Sequence, residues 1–254
     1  MRKLLLLLVA STVFPMVAHS QEWAGHERYA AANAAITKAP EVVFMGNSIT
    51  DLWDDNHPEF FTDNNYACRG ISGQVTSQML CRFYSDVVDL KPKSVVILAG
   101  INDIAQNKGP IELEHIAQNI MSMAEIARQN GIRPFIASVL PCDTIPWNAK
   151  IVNTSAKVAK LNEMLSKYAA DNGITYIDYF SPLVASDGSL DSRYTNDRLH
   201  PNRAGYDVME PVVLKALAEK QCCRKACDRK PKADCRDCDQ HRKCHRQNCT
   251  QKKN

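Results

Sequence analysis

Short apolar runs recur along the chain, each rich in Val and Ile and apolar at consecutive positions. They cover residues 41–46 (EVVFMG), 93–100 (KSVVILAG), 133–140 (RPFIASVL) and 174–178 (ITYID), with a weaker one at 65–69. Unbroken apolarity over so few residues predicts parallel strands buried on both faces. Between them lie longer stretches with apolar positions at helical spacing, about 74–89, 111–130, 149–172 and 203–220. Asn130-Gly131 and Asn172-Gly173 supply helix stop signals at the ends of two of these. Strand and helix in alternation predict one α/β domain, a doubly wound sheet with helices on both faces. No internal repeat or long linker interrupts it before residue 220.

The two ends of the chain read differently. Arg2 and Lys3, the apolar run 4–10 and the small residues Ala18 and Ser20 form a secretory signal pattern, so residues 1–20 are expected to be removed. A membrane anchor is the competing reading, but residues 4–17 fall short of the roughly 20 apolar residues that a span needs. The mature protein, 21 onward, is therefore expected outside the cytoplasm, secreted or periplasmic. At the other end, residues 221–254 carry 11 Lys/Arg against 4 Asp/Glu, a net of +7, and 7 of the 10 cysteines.

That tail has almost no aliphatic residues and cannot bury a core of its own. Cys235, Cys238, His241, Cys244 and His245 are zinc ligand types at tight spacing. A disordered basic extension, or one stapled by irregular disulfides, fits the same residues. Its charge suits an anionic surface. The body behaves otherwise: residues 21–220 hold 18 basic and 24 acidic residues, a net of −6, which argues against nucleic acid as a partner. With 45% hydrophobic residues the whole chain is too apolar to be disordered throughout.

In an open parallel sheet, ligands bind at the carboxyl ends of the strands. Here those ends carry Asn47-Ser48, Gly70-Ile71-Ser72-Gly73 and Ile101-Asn102-Asp103, and a long loop after the last strand holds Asp197-Arg198-Leu199-His200. A serine hydroxyl attacks only if a base takes its proton, and His200 is the candidate base. Asp197 is placed to orient that imidazole. The Ser48 and Gly73 amides and the Asn102 carboxamide could receive the negative charge that develops on an attacked carbonyl. Taken singly, each has a plainer reading: Ser48 or His200 as a helix cap, Gly73, Asn102 or Asp197 as turn residues. Their convergence on one sheet edge favours the chemical one.

Four blocks in order, Gly46-Asn47-Ser48-Ile49, Gly70-Ile71-Ser72-Gly73, Gly100-Ile101-Asn102-Asp103 and Asp197-Arg198-Leu199-His200-Pro201, resemble those of the SGNH (GDSL-type) hydrolases. The resemblance runs over about 41–217. It implies a flavodoxin-like three-layer α/β/α sandwich with a mostly parallel sheet, and ester hydrolysis without metal or other cofactor. It also implies Ser48 as nucleophile, Asp197 and His200 as its triad partners, and Ser48, Gly73 and Asn102 as the oxyanion hole. One position departs: Asn47 stands where the family usually has Asp, a near-isosteric change that removes a negative charge beside the oxyanion. No Gly-x-Ser-x-Gly elbow of the ordinary α/β-hydrolases is present.

Within the family, FMGNSITDLW, RGISGQVTSQML and LKPKSVVILAGINDI look most like the platelet-activating-factor acetylhydrolase catalytic subunits and bacterial acetylesterases. That branch implies a small acyl group, often acetyl, on a larger alcohol such as a glycan. Its acyl pocket is implied at Ile49, Ile101 and Leu199, all bulky and branched. A lysophospholipase or lipase, or a surface-binding module anchored by the basic tail, are the competing functions.

Overall fold

The computed structural model describes residues 22–219. The signal-like segment and the tail with Cys235, Cys238, His241, Cys244 and His245 lie outside these residues. In chain order the elements are α1 (Ala30–Ala34), β1 (Val42–Gly46), α2 (Ser48–Asn56), α3 (Pro58–Asp63), β2 (Tyr66–Gly70), α4 (Thr76–Phe83), β3 (Ser94–Leu98), α5 (Ile101–Ile104) and α6 (Leu113–Gln129). Then follow β4 (Arg133–Ala137), α7 (Thr154–Asn172), β5 (Thr175–Ile177), α8 (Phe180–Leu183) and α9 (Arg203–Ala218). All five strands pair in parallel in the order β2-β1-β3-β4-β5. This is the flavodoxin-like order.

The predicted strands are all present; four are shorter by one to three residues, because the sheet ladder ends where the chain turns toward the next helix, and the weaker one at 65–69 is shifted by one residue to Tyr66–Gly70. Right-handed crossovers put α2 on one face and α4, α6 and α7 on the other, where they pack on one another. The last helix, α9, returns to the α2 face and contacts α2. Two departures from the periodicity have local causes. The segment 149–153 is loop rather than helix, since Asn153 takes φ 57° immediately before α7 and blocks earlier winding. A short helix, α3, stands where none was expected; Pro58 starts it, and Phe60 and Phe61 bury among Phe44, Trp53 and Tyr66. These rings, edge-on or stacked, bind α2 and α3 to β1.

Arg82, on α4, is wholly buried. Its Nη1 donates to Asp86 Oδ2 at 2.8 Å and its Nε to Gln74 Oε1 at 2.6 Å. Its Nη2 donates at 3.0 Å to two carbonyls, Gly46 O and Arg69 O, at the ends of β1 and β2. Burial lowers the Arg82 pKa, against which the Asp86 hydrogen bond and charge act. The guanidinium thus ties two strand ends together from below. At the start of the same helix, Asp103 accepts from Thr76 N at 2.9 Å and Thr76 Oγ1 at 2.6 Å, and Asn119 Nδ2 donates to that hydroxyl at 2.9 Å. Burial pushes the Asp103 carboxyl up to about 6 in spite of these bonds.

Asp86→Ala should leave the Arg82 charge buried and unpaired, and should lower the unfolding free energy by about 3–5 kcal/mol in chemical denaturation. A loss below about 1 kcal/mol would show that the network reorganises around the gap. Asp103 makes a separate prediction with a definite sign. The folded protein holds the Asp103 proton up to about pH 6, whereas an unfolded aspartate releases it near 3.9. The folded state therefore binds more protons across that window, and its stability should fall as pH rises, by on the order of 3 kcal/mol in all. Asp103→Asn should flatten this part of the stability–pH curve; an unchanged slope would assign it to other groups.

Candidate active site

β1 ends at Gly46 and α2 begins at Ser48, so a single residue, Asn47, makes the turn. Its carboxamide Oδ1 caps the helix by accepting from Ile49 N at 3.1 Å. Asn47 thus performs the turn-forming role that the usual aspartate would fill. The Ser48 N–H, first in the helix, has no intrahelical partner. Helix α2 can lie this close to the sheet because Gly70 lacks a side chain: a Cβ there would sit 2.1 Å from Asp51 N.

Ser48 Oγ is 2.9 Å from His200 Nε2, and His200 Nδ1 is 2.6 Å from Asp197 Oδ2. The other carboxylate oxygen, Oδ1, accepts from Leu199 N at 2.9 Å, His200 N at 2.8 Å and Thr195 Oγ1 at 3.2 Å. Partial burial opposes the Asp197 charge, yet the His200 side chain and these backbone N–H groups outweigh it and hold the carboxyl down at about 2. Asp197 is therefore an anion at any neutral pH. The loop that carries it is closed by the Thr195–Pro201 bridge and by Asn202 N donating to Tyr194 O at 2.8 Å. Asn202 then caps α9, and Tyr206 of that helix donates its hydroxyl to Ile49 O at 2.8 Å. That last bond fixes the histidine loop to the residue following Ser48.

Gly73 and Asn102 come to the same sheet edge. Gly73 adopts φ +79°, with open space where a side chain would point, and its N–H makes no hydrogen bond among the described residues. The buried Asn102 carboxamide donates one hydrogen to Gln74 O at 2.9 Å, and its second N–H makes no hydrogen bond among the described residues. Next along the chain, Asn107 Nδ2 donates to Gly73 O at 3.3 Å. The Gly73–Gln74 turn is thus held at both carbonyls by side-chain amides from the segment after β3.

Ile49, Ile101 and Leu199 are buried in the hydrophobic core. They do not line the open cleft beside His200, of about 570 Å³, which is formed by residues including Asn56, Asn196, Asp197, His200 and Arg203. Their side chains fill the interior next to Ser48, Asn102 and His200 in the chain. Among the described residues no cluster of three or more His, Cys, Asp or Glu is placed to hold a metal ion. The sequence reading missed Asn107, whose role depends on a turn remote in the chain. It also missed Arg82, whose spacing with Asp86 reads as a solvated helix face.

Residues 44–208 match the model of the GDSL-like lipase/acylhydrolase family. The solved structure of a GDSL-like lipase from Bacteroides thetaiotaomicron is 43% identical and superposes with a TM-score of 0.75, covering 77% of this chain and 98% of that one. The human platelet-activating factor acetylhydrolase IB subunit alpha1 is 26% identical over 206 residues, 77% of this chain and 84% of that protein. A shorter match, 35% identical over 75 residues, spans 28% of this chain and about a third (31%) of the Bacillus subtilis lipoprotein YqeF. The chain belongs to the GDSL-like lipase/acylhydrolase family.

Proposed function

We propose that the protein is a serine esterase that removes short acyl groups, acetyl above all, from a larger alcohol such as a glycan, outside the cytoplasm. The observation that carries this reading is the run of hydrogen bonds from Ser48 through His200 to Asp197, at 2.9 and 2.6 Å. In the proposed cycle His200 Nε2 takes the Ser48 proton as Oγ attacks the ester carbonyl. Asp197 holds the Nδ1–H tautomer and stabilises the imidazolium. The oxyanion is received by the Ser48 and Gly73 N–H groups and the free N–H of Asn102. His200 then protonates the departing alcohol, and a water deprotonated by the same nitrogen releases the acid and restores Ser48.

The acyl preference is supported by packing. Ile49, Ile101 and Leu199, each adjacent in the chain to Ser48, Asn102 or His200, belong to a close-packed core, so they open no apolar channel for a long acyl chain. The acetylhydrolase named among the relatives points the same way.

Hydrolysis of p-nitrophenyl esters by the full chain tests both halves. Ser48→Ala or His200→Ala should remove at least about 10³ of kcat, and Asp197→Ala less. Asn102→Ala should cost on the order of 10²–10³ through loss of one donor. Parental activity in Ser48→Ala would end the reading. Along the acyl series, kcat/KM should fall steeply from acetate to butyrate and be negligible at octanoate. An optimum at six carbons or more would replace the esterase by a lipase or lysophospholipase using the same residues.

A further inference from the structure

Trp147 lies between β4 and α7 and is 51% exposed. Its indole is nevertheless anchored: Nε1 donates to Asn107 Oδ1 at 2.9 Å, and Asn107 in turn donates to Gly73 O at 3.3 Å. The segment around it is stapled to the same region. Asn148 Nδ2 donates to Ala105 O at 3.0 Å, its N–H closes a turn on Ile145 O at 3.0 Å, and Ile145 is buried. Asp143 of this segment pairs with Arg198, in the loop that carries the histidine. One segment is therefore fastened to the Gly73 turn, to the chain after Asn102 and to the His200 loop.

A half-exposed indole gives up apolar burial, and fixing its orientation costs rotamer freedom. Such rigid aromatic faces are effective binding surfaces, because large contact area is available with little further ordering. This one stands two hydrogen bonds from Gly73, a proposed oxyanion residue. With the acyl group of the proposed substrate beside Ser48, the part of the ester left to reach such a surface is its alcohol. The neighbouring residues bear on the alcohol's chemistry. In the chain, Lys108 and Asn107 on one segment and Asn148 and Lys150 on the other bring amide and ammonium groups close to the indole, while Val152 is the large exposed aliphatic side chain nearby. A pyranose suits them: its flat C–H face can lie on the indole while its hydroxyls meet the flanking amides and ammonium groups.

We propose that Trp147 is a specificity-determining residue whose indole face receives a pyranose ring of the alcohol, and that Asn107 is the positioning residue that sets this face relative to Gly73. The proposal rests on the esterase reading of Ser48 and names its alcohol side. The test uses the full chain and two acetates with the same acyl group, peracetylated methyl glucopyranoside and ethyl acetate. Trp147→Ala should lower kcat/KM on the sugar acetate by about tenfold or more, chiefly through KM, and leave ethyl acetate within about twofold. Trp147→Phe keeps a stacking face and should retain most of the sugar preference. Asn107→Ala should lower kcat on both esters, since the Gly73 turn loses its tether.

Equal losses on both esters in Trp147→Ala, or no loss on either, would overturn the proposal while leaving the esterase reading intact. A second readout is independent of turnover. Saturation-transfer NMR with methyl glucopyranoside should show binding to Ser48→Ala and none once Trp147→Ala is added. Binding that survives the added change would overturn the proposal, whereas absence of hydrolysis of any ester by the parent protein would sink the esterase reading alone.

Discussion

A single buried cation organises the sheet edge on which everything else depends. Arg82 reaches from α4 to the last carbonyl of β1 and the penultimate one of β2, and also donates to Asp86 and Gln74. Those carbonyls immediately precede the Ser48 turn and the Gly70–Gly73 segment, so the guanidinium, together with the Ile71 N–Gly46 O bond at 3.2 Å, fixes the spacing of the two chain ends as they leave the sheet. A neutral side chain could fill the same volume, but it could not draw two carbonyl oxygens and a carboxamide to one point. The arrangement is costly to desolvate and stays favourable only while every partner is present. In this way α4, which contributes no proposed reacting group, sets the geometry of those that do.

The second constraint is the return of α9. Ser48 and His200 are far apart in the chain, and their contact depends on α9 lying against α2. Tyr206 makes the most direct connection, by donating to the carbonyl of the residue after the proposed nucleophile. Trp53 Nε1 and His57 Nδ1 reach Glu210 on the same helix at 3.2 and 3.0 Å. The histidine loop is thus held by polar bonds on one side and by stacked Trp53 and Tyr206 rings on the other.

How much of this was legible in the sequence follows from the range of each interaction. Strand positions were legible because burial on both faces writes an unbroken apolar run, and the residues at strand ends followed from topology. Helix α7 was placed five residues early because 149–153 has helix-compatible residues, while the tethers from Asn148 to Ala105 and from Trp147 to Asn107 are invisible locally. Arg82 and Asp86 have the four-residue spacing of an exposed ion pair, and only tertiary packing covers them. Trp147 carried no periodic signal at all. Ile49, Ile101 and Leu199 were legible as bulky neighbours of the site, but not as members of the core.

The Tyr206–Ile49 bond also bears on the order of assembly. A parallel sheet already demands crossovers, and joining residues 157 apart adds one of the longest closures in the molecule. The part of the sheet built from β1 to β4 can present the serine, the glycine turn and the asparagine before α9 exists. The imidazole arrives only with the final helix. As the chain folds, the Ser48 hydroxyl therefore stays without its imidazole partner until nearly the whole described domain has formed, and the proposed reactivity would be the last property that folding confers.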